Sequence, residues 1–406
     1  MAVGLSAPST LRPVKGVRLG TCAAGLRYAD RRDLVVLELA AGSEAAGVFT
    51  RNRFCAAPVT VARDHLGSAQ PRALLINTGY ANAGTGQPGI EDARACCQHL
   101  ARALGCASEQ VLPFSTGVIG ERLPVERMVK ALPACLAQLD EAGWVEAAHG
   151  IMTTDTVAKG VSREIKVGSQ TVAITGIAKG AGMIRPDMAT LLVFIATDAA
   201  VTRDVLRTCL TRAVADSFNR ITVDGDTSTN DAVILLATGK SAAAPIGHVG
   251  DVGYGELADA VNSVCLDLAQ AIVRDAEGAT KFVTVEVVEG ASESDCLEVA
   301  YTIAHSPLVK TAFFASDPNW GRILAAVGRA RIPTLDVTAV SIFLDEVCVI
   351  SQGTLEANYT EAKGQAVMRK PEITVRVALA AGSSSARIWT SDLSHEYVQI
   401  NAEYRS

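Results

Sequence analysis

The sequence predicts a mixed α/β protein with a smaller α/β unit at its C-terminal end. Three observations carry that expectation: short aliphatic runs recur along the chain, amphipathic helical repeats are interleaved with them, and a polar stretch after Gly290 is followed by a fresh set of both. The 406 residues suffice for two or three domains with a sizeable core, and 49% apolar residues with only 5% aromatics suit an Ala/Val/Leu-rich enzyme.

Taken in order, LVVLELA from Leu34, ALLIN from Ala73, TVAITGIA from Thr171, LLVFIAT from Leu191, AVILLAT from Ala232 and VTVEVVEG from Val283 read as strands. IEDARACCQHLARAL from Ile90 and TRDVLRTCLTRAVADSF from Thr202 repeat apolar residues at helical spacing. In the second, Thr202 suits a side-chain cap and Asp204 complements the macrodipole. The strand from Val283 ends in EGASESD, where Ser292 and Asp295 read as a capping box opening a new helix. Beyond it the sequence predicts a helix around NWGRILAAVGRA, a strand over VTAVSIFLDEVCVIS, and a hairpin within ITVRVALAAGSSSARIWTSDLS that turns at Gly382 and Ser383.

Composition narrows the class of partner. A net charge of -6 without any block of Lys or Arg argues against a nucleic-acid or anionic-membrane surface, which needs clustered cations, so a small molecule is expected. The first twenty residues lack a continuous apolar core of a signal peptide. No apolar run approaches the roughly 18 residues of a membrane span, and a soluble, unexported, cytoplasmic protein is expected. Ten cysteines without a CxxC pair read as reduced core thiols, and no metal or resident cofactor is called for.

Two motifs invite misreading. Gly84, Gly86 and Gly89 form GxGxxG after a strand and before a helix, but the loop is long and polar, Pro88 lies inside it, and no strand-terminal acid follows about twenty residues on. ATGKS at Ala237–Ser241 lacks the glycine that a phosphate cradle needs ahead of its GK pair. The six histidines, His65, His99, His149, His248, His305 and His395, show no ligand spacing, and a Ser-His-Asp arrangement is not visible.

The stretch KGAGMIRPDMATLLVFIATDA raises a sharper question, because a tight loop meets an apolar strand at one hydroxyl residue, Thr190. A hydroxyl is a weak nucleophile without a base to take its proton. If the Ala189–Thr190 bond were cut, the new α-amine, with a reference pKa of about 7.7 to 8.0, would supply that base on the same residue. Gly180 and Gly182 permit a sharp turn and Pro186 fixes a φ, which together could strain the Ala189 carbonyl toward attack. On spacing alone, the plainer reading is a β-branched residue at a strand start.

The ordered motifs AGVFTRNRFCAAPV, INTGYANAGTG, LPFSTGVIGERLP, IMTTDT, KGAGMIRPDMATLL, TVDGDTSTND, SDPNWGRILAAVGRA and INAEYRS span essentially the whole chain. With them the sequence resembles the ornithine acetyltransferase family, also called glutamate N-acetyltransferase, of arginine biosynthesis. The resemblance implies an N-terminal-nucleophile-like, aminopeptidase-related fold: a layered sandwich of mixed sheets flanked by helices. It also implies self-cleavage into an α chain of residues 1–189 and a β chain of 190–406, in which 190–289 complete the catalytic core and 290–406 form the C-terminal domain. Two of each chain would make a heterotetramer. Thr190 would carry the acetyl group, Thr116 and Gly117 would form the oxyanion hole, and Thr154, Lys179, Thr190, Glu277, Asn401 and Ser406 would bind substrate. Acetyl would pass from N2-acetylornithine to glutamate. Related enzymes differ in accepting acetyl-CoA as a donor, and no motif in this chain marks a coenzyme A site. Arg185, Asp187 and Tyr80 depart from the residues expected at their positions. The alternatives are an N-terminal-nucleophile aminopeptidase or amidohydrolase, which would pass the acyl group to water, and a non-enzymatic small-molecule binding domain.

Overall fold

The computed structural model describes residues 2–185 and 191–403. The chain divides into two compact units. The larger comprises Ser6–Asn219 and Asp226–Ile272, and the smaller Met1–Leu5, Arg220–Gly225 and Val273–Ser406.

In the larger unit the strands are β1 (Val17–Cys22), β2 (Leu34–Leu39), β3 (Glu44–Phe49), β4 (Ala73–Tyr80), β5 (Val111–Val118), β6 (Lys159–Val167), β7 (Gln170–Lys179), β8 (Leu192–Thr197) and β9 (Ala232–Ala237). They form a four-stranded sheet of order β1-β2-β4-β5 and a five-stranded sheet of order β3-β9-β8-β7-β6. Both are mixed, since β4 and β5 run parallel, as do β8 and β9, while the other neighbours are antiparallel. The helices are α1 (Ala57–Ser68), α2 (Gly86–Leu104), α3 (Val125–Leu136), α4 (Trp144–Gly150), α5 (Arg203–Asp216) and α6 (Tyr254–Arg274).

Strand β2 explains the layering. Val35 and Leu37 point into a core shared with Phe194, Ile234 and Leu236 of the five-stranded sheet. Their neighbours Leu34 and Val36 point the other way, into a core with Cys96, Cys97 and Leu100 of α2 and Leu132 and Cys135 of α3. A strand covered on both faces has no polar alternation, which is why its sequence is a continuous apolar run. The rings of Phe114 and Phe194 meet edge to face between the two sheets, centroids 5.1 Å apart. On the far side of the five-stranded sheet, a Cβ at Gly176 would stand 3.0 Å from Val264 of α6, so the helix seats closely on the strand. These helix, sheet, sheet and helix layers match the sandwich expected from the sequence.

The smaller unit holds β10 (Phe282–Gly290), β11 (Ser341–Leu344), β12 (Val347–Ser351), β13 (Thr354–Leu355), β14 (Glu372–Ala378) and β15 (Ser384–Ser391) in the order β13-β12-β11-β14-β10-β15. Its helices are α7 (Glu293–Ala304), α8 (Pro307–Phe314), α9 (Trp320–Gly328), α10 (Glu361–Met368) and α11 (His395–Ala402). Val283, Val285 and Val287 alternate into one core with Val299 and Ile303 of α7, Phe313 of α8 and Ile323 of α9.

Several sequence expectations need correction. The boundary at Gly290 moves back to Val273, because β10 pairs with both β14 and β15 and belongs inside the smaller sheet. Strands β14 and β15 are not a hairpin. Strand β10 lies between them, and the turn wraps around its end, with the amides of Ala381 and Gly382 donating to the Glu289 carbonyl. The single strand expected over VTAVSIFLDEVCVIS is instead two strands, β11 and β12, joined through Asp345 at φ 48°. Thr202 starts α5 in the cap conformation, but its hydroxyl donates to the Gly247 carbonyl instead of capping. Ser292 does cap α7, accepting from the Asp295 amide. Helix α2 begins at Gly86, ahead of Ile90.

Candidate active site

The STG stretch belongs to a strand. Ser115, Thr116 and Gly117 end β5, the edge strand of the four-stranded sheet, where the parallel register with β4 slips around Tyr80. Gly117 has φ 136°, and a Cβ there would lie 2.3 Å from the Gly79 carbonyl carbon, so two chains approach at a point that only glycine fits. A polar bracket fixes this end. Asn230 donates to the carbonyls of Ala81, at 2.6 Å, and Ser115, at 2.9 Å, and accepts from Thr229. Ser115 donates to Asn77, which itself donates to the Tyr80 carbonyl. Thr116 and Gly117 remain half-buried on this rigid base, so a hydroxyl and a backbone N–H are presented by a strand end that is held from behind.

The glycine motif after β4 is spent differently. Asn82, at φ 50°, accepts from the Thr85 hydroxyl and donates to the Gly89 carbonyl, while Gly86 and Gly89 already belong to α2. Its side chains bond to one another, with no dinucleotide turn formed.

A charged cluster lies where β6 starts and β7 ends. The Asp155 carboxylate accepts from Lys159 Nζ at 2.7 Å, from the Gly180 amide at 2.8 Å and from the Thr153 amide at 2.9 Å, and Lys179 Nζ stands 4.0 Å away. The side chains of Asp155 and Lys159 are wholly inaccessible, and that of Lys179 is 11% exposed. Burial works against the ionised carboxyl, but Lys159, Lys179 and the Gly180 N–H outweigh it and hold Asp155 well below the usual carboxylate range. Thr154, the half-buried residue of this turn expected to bind substrate, thus sits one position from a fixed anion, and Lys179 is brought to the same anion.

In the smaller unit the structure joins two other expected residues. Asn401 on α11 donates to Glu277 Oε2 at 2.7 Å, and Glu277 is buried. The segment carrying Glu277 is pinned by the end of β15. Asp392 accepts from the amides of Thr280 and Lys281 and from the Thr280 hydroxyl, and Ser394 donates to the Gly278 carbonyl while capping α11. Behind this hub Lys310, fully buried, donates to the Thr390 hydroxyl and the Ser391 carbonyl. Burial pushes its ammonium down to about 8, with Asp392 and Asp224 only partly offsetting that cost. Tyr397 of α11 donates its hydroxyl to Asp224 at 3.2 Å.

Ala189, Thr190 and Ser406, with Pro186 and Asp187, lie outside the described residues, and so does the bond proposed for cleavage. Among the described residues no group of three or more His, Cys, Asp or Glu is placed to hold a metal ion, all ten cysteines are free thiols, and no helix is long and apolar enough to cross a membrane. Sequence reasoning missed Asp155, Lys159, Asn230, Lys310 and Asp392. The available signal was slight: in TTDTVAKGV, a lysine flanked by Ala158 and Gly160 at the head of a strand is out of place on a solvated face.

Comparison with known proteins places the chain in a family. The ArgJ family model matches residues 18–406. An arginine biosynthesis bifunctional protein ArgJ of Pseudomonas fluorescens (strain Pf0-1) is 57% identical over 406 residues, 100% of both chains. Its namesake in Methylococcus capsulatus is 56% identical over 396 residues, covering 98% of this chain and 97% of its own. Among solved structures, the arginine biosynthesis bifunctional protein of the same name from Bacillus halodurans is 34% identical, with a TM-score of 0.49, over 52% of this chain and 97% of that one. With identity of this order sustained from end to end, the chain belongs to the ArgJ family.

Proposed function

We propose that the protein is an acetyltransferase of arginine biosynthesis that moves acetyl from N2-acetylornithine to glutamate by double displacement. The observation that carries this reading is the 57% identity, over the whole of both chains, with a relative named as an arginine biosynthesis bifunctional protein. The chemistry of the described residues agrees with it. In this reading the chain cuts itself between Ala189 and Thr190, and the Thr190 α-amine takes the proton of its own hydroxyl. The hydroxyl oxygen attacks the acetyl carbonyl, the C–N bond to ornithine breaks, and the amine returns the proton to the leaving nitrogen. Glutamate then attacks the ester through its own amine, the C–O bond breaks, and Thr190 recovers its proton. Both steps pass through an oxyanion that the Thr116 hydroxyl and the Gly117 N–H are suited to receive.

Substrate groups are assigned by charge. Lys179 and Thr154 take a carboxylate, Glu277 with Asn401 takes the α-amine, and Ser406 and Thr190 complete the set. The two chains made by cleavage stay together, two of each per molecule, and act in the cytoplasm. Acetyl-CoA as a second donor would make the enzyme bifunctional in the sense of its relatives' name. The experiment is turnover of N2-acetylornithine by the purified protein, with and without glutamate. Formation of N-acetylglutamate supports the reading, release of acetate alone would identify an amidohydrolase, and no turnover would leave a binding protein.

A further inference from the structure

Strand β1 and helix α3 meet so closely that a Cβ at Gly20 would lie 2.2 Å from the Cys135 carbonyl oxygen. Side chains alternate along a strand, so Cys22 leaves β1 on the same face as Gly20. Its thiol donates to the Ala131 carbonyl, one turn ahead of Cys135 on the helix, at 3.6 Å. From the helix, the Cys135 Sγ reaches the Gly20 carbonyl at 3.1 Å and the Leu34 carbonyl at 3.7 Å, and Leu34 is the register partner of Cys22. The two thiols are in hydrogen-bonding contact.

Their surroundings differ. Cys135 is fully buried, whereas Cys22 is half-buried and lines a surface cavity of about 480 Å³ with Thr21, Arg32, Gln138 and Asp140. A small polar molecule can therefore reach one thiol and not the other. Turned toward Cys22, the Cys135 S–H stabilises the Cys22 thiolate and holds that thiol below its ordinary value, against burial and the Asp33 carboxylate. The same contact, together with burial, pushes Cys135 up, so Cys22 ionises first and Cys135 keeps its proton.

We propose that Cys22 and Cys135 form a peroxide-reactive dithiol, a modification site at which Cys22 is oxidised first and Cys135 closes a reversible disulfide. The oxidant is hydrogen peroxide or another small hydroperoxide. The Cys22 thiolate attacks a peroxide oxygen and the O–O bond breaks. The departing oxygen takes the proton that Cys22 gave up, and Cys22 is left as a sulfenic acid. The Cys135 sulfur then attacks the Cys22 sulfur, the S–O bond breaks, and the Cys135 proton leaves with the hydroxyl as water. Two thiols and one hydrogen peroxide thus give one disulfide and two waters. Two equivalents of a small thiol restore both cysteines by exchange through a mixed disulfide.

This site is independent of the acetyl transfer proposed above, and the experiment reads sulfur instead of turnover. The purified full-length protein is exposed to hydrogen peroxide, its remaining thiols are alkylated under denaturing conditions, and its peptides are mapped by mass spectrometry before and after reduction. The expected product is a Cys22–Cys135 cross-link, two hydrogens lighter than the dithiol and removed by reduction, with the other cysteines alkylated. Without peroxide, Cys22 in the folded protein should react with iodoacetamide at least about ten-fold faster than Cys106 or Cys348, whose thiols burial pushes up. Cys135→Ser keeps a donor for Cys22 but has no sulfur to close the bond, so dimedone should trap at least about ten-fold more Cys22 sulfenic acid than in the wild type. Equal trapping in the two proteins would overturn the assignment of Cys135 as the second thiol. A wild-type Cys22 that stays a thiol, stops at the sulfenic or sulfinic acid, bonds a cysteine other than Cys135, or alkylates no faster than Cys106 and Cys348 overturns the proposal. Where Cys135→Ser does not fold, the wild-type map decides by itself.

Discussion

Two buried lysines, one in each unit, are held by different means. In the larger unit Lys159 meets a carboxylate at 2.7 Å, and that carboxylate is driven firmly to its charged form. In the smaller, Lys310 meets a hydroxyl and a carbonyl, and its ammonium is pushed down to about 8. Burial is complete in both places, so the difference lies in the partner. A cation at contact holds the Asp155 carboxylate charged, whereas around Lys310 dipoles backed by more distant carboxylates do not fully replace water. The same contrast separates the residues assigned to substrate. Lys179 shares a buried anion, and Glu277 is held by the neutral amide of Asn401.

The contrast predicts how each region fails. Asp155→Ala should be the most damaging change, because it leaves two ammonium groups buried without their carboxylate, at about 3 to 5 kcal/mol by equilibrium denaturation. The wild-type share of that stability has a definite pH signature. Asp155 is depressed in the folded state, so its contribution is complete above the unfolded value near 4 and is lost as pH falls through the lower folded value. The variant should show a flatter acid limb. A loss under about 1 kcal/mol would mean that the two lysines are solvated well enough without it.

Thr116→Ala comes next and acts on rate, since it removes one preorganised donor and orphans no charge. It should slow acetyl transfer by about 10² to 10³ with little change in melting temperature. Normal turnover in fully matured Thr116→Ala would remove this hydroxyl from the site. Glu277→Gln should raise KM for glutamate by about 10- to 100-fold, yet cost little stability, because its partner Asn401 can turn its amide to bond a neutral side chain. A large stability loss there would erase the distinction drawn between the two units.

How much of this was legible in the sequence follows the same physics. Strands β2, β4, β7, β8, β9 and β10 announced themselves because their apolar runs are buried, most on both faces. Strand β5 was hidden by Pro113 and Gly117, residues that a strand interior ordinarily disfavours and that an edge strand tolerates. The turn at Gly382 looked like a hairpin because nothing local records that β10, which ends 92 residues earlier at Gly290, fills the space between its arms. Lys179, Glu277 and Thr116 were named as candidates through the family's motifs. Asp155, Lys159, Lys310 and Asp392 were not, because an isolated charged residue reads as solvated by default and only packing reveals the exception.

The smallest effect is expected at Lys310. Its folded value lies below the unfolded one, so the unfolded chain binds more protons between about pH 8 and 10.5, and stability should rise with pH across that window. Lys310→Met should abolish this rise and, at pH 7, shift stability by about 1 kcal/mol or less, since the relieved burial penalty opposes the lost hydrogen bonds. The difference between the two pH curves isolates the lysine from other groups titrating there. Parallel curves would show that Lys310 keeps its charge despite its burial.

The central claim is that Thr190, freed by cleavage, carries the acetyl group and activates itself. Its most direct test is mass spectrometry of the protein after brief exposure to N2-acetylornithine without glutamate, quenched at a series of pH values. The account predicts two chains, the second beginning at Thr190, with one acetyl ester on that residue that disappears when glutamate is added. Its rate of formation should rise with pH to a half-maximal point between about 6.5 and 8.5, where an α-amine loses its proton. An intact single chain with full activity, or turnover with no acetyl on Thr190, would contradict it.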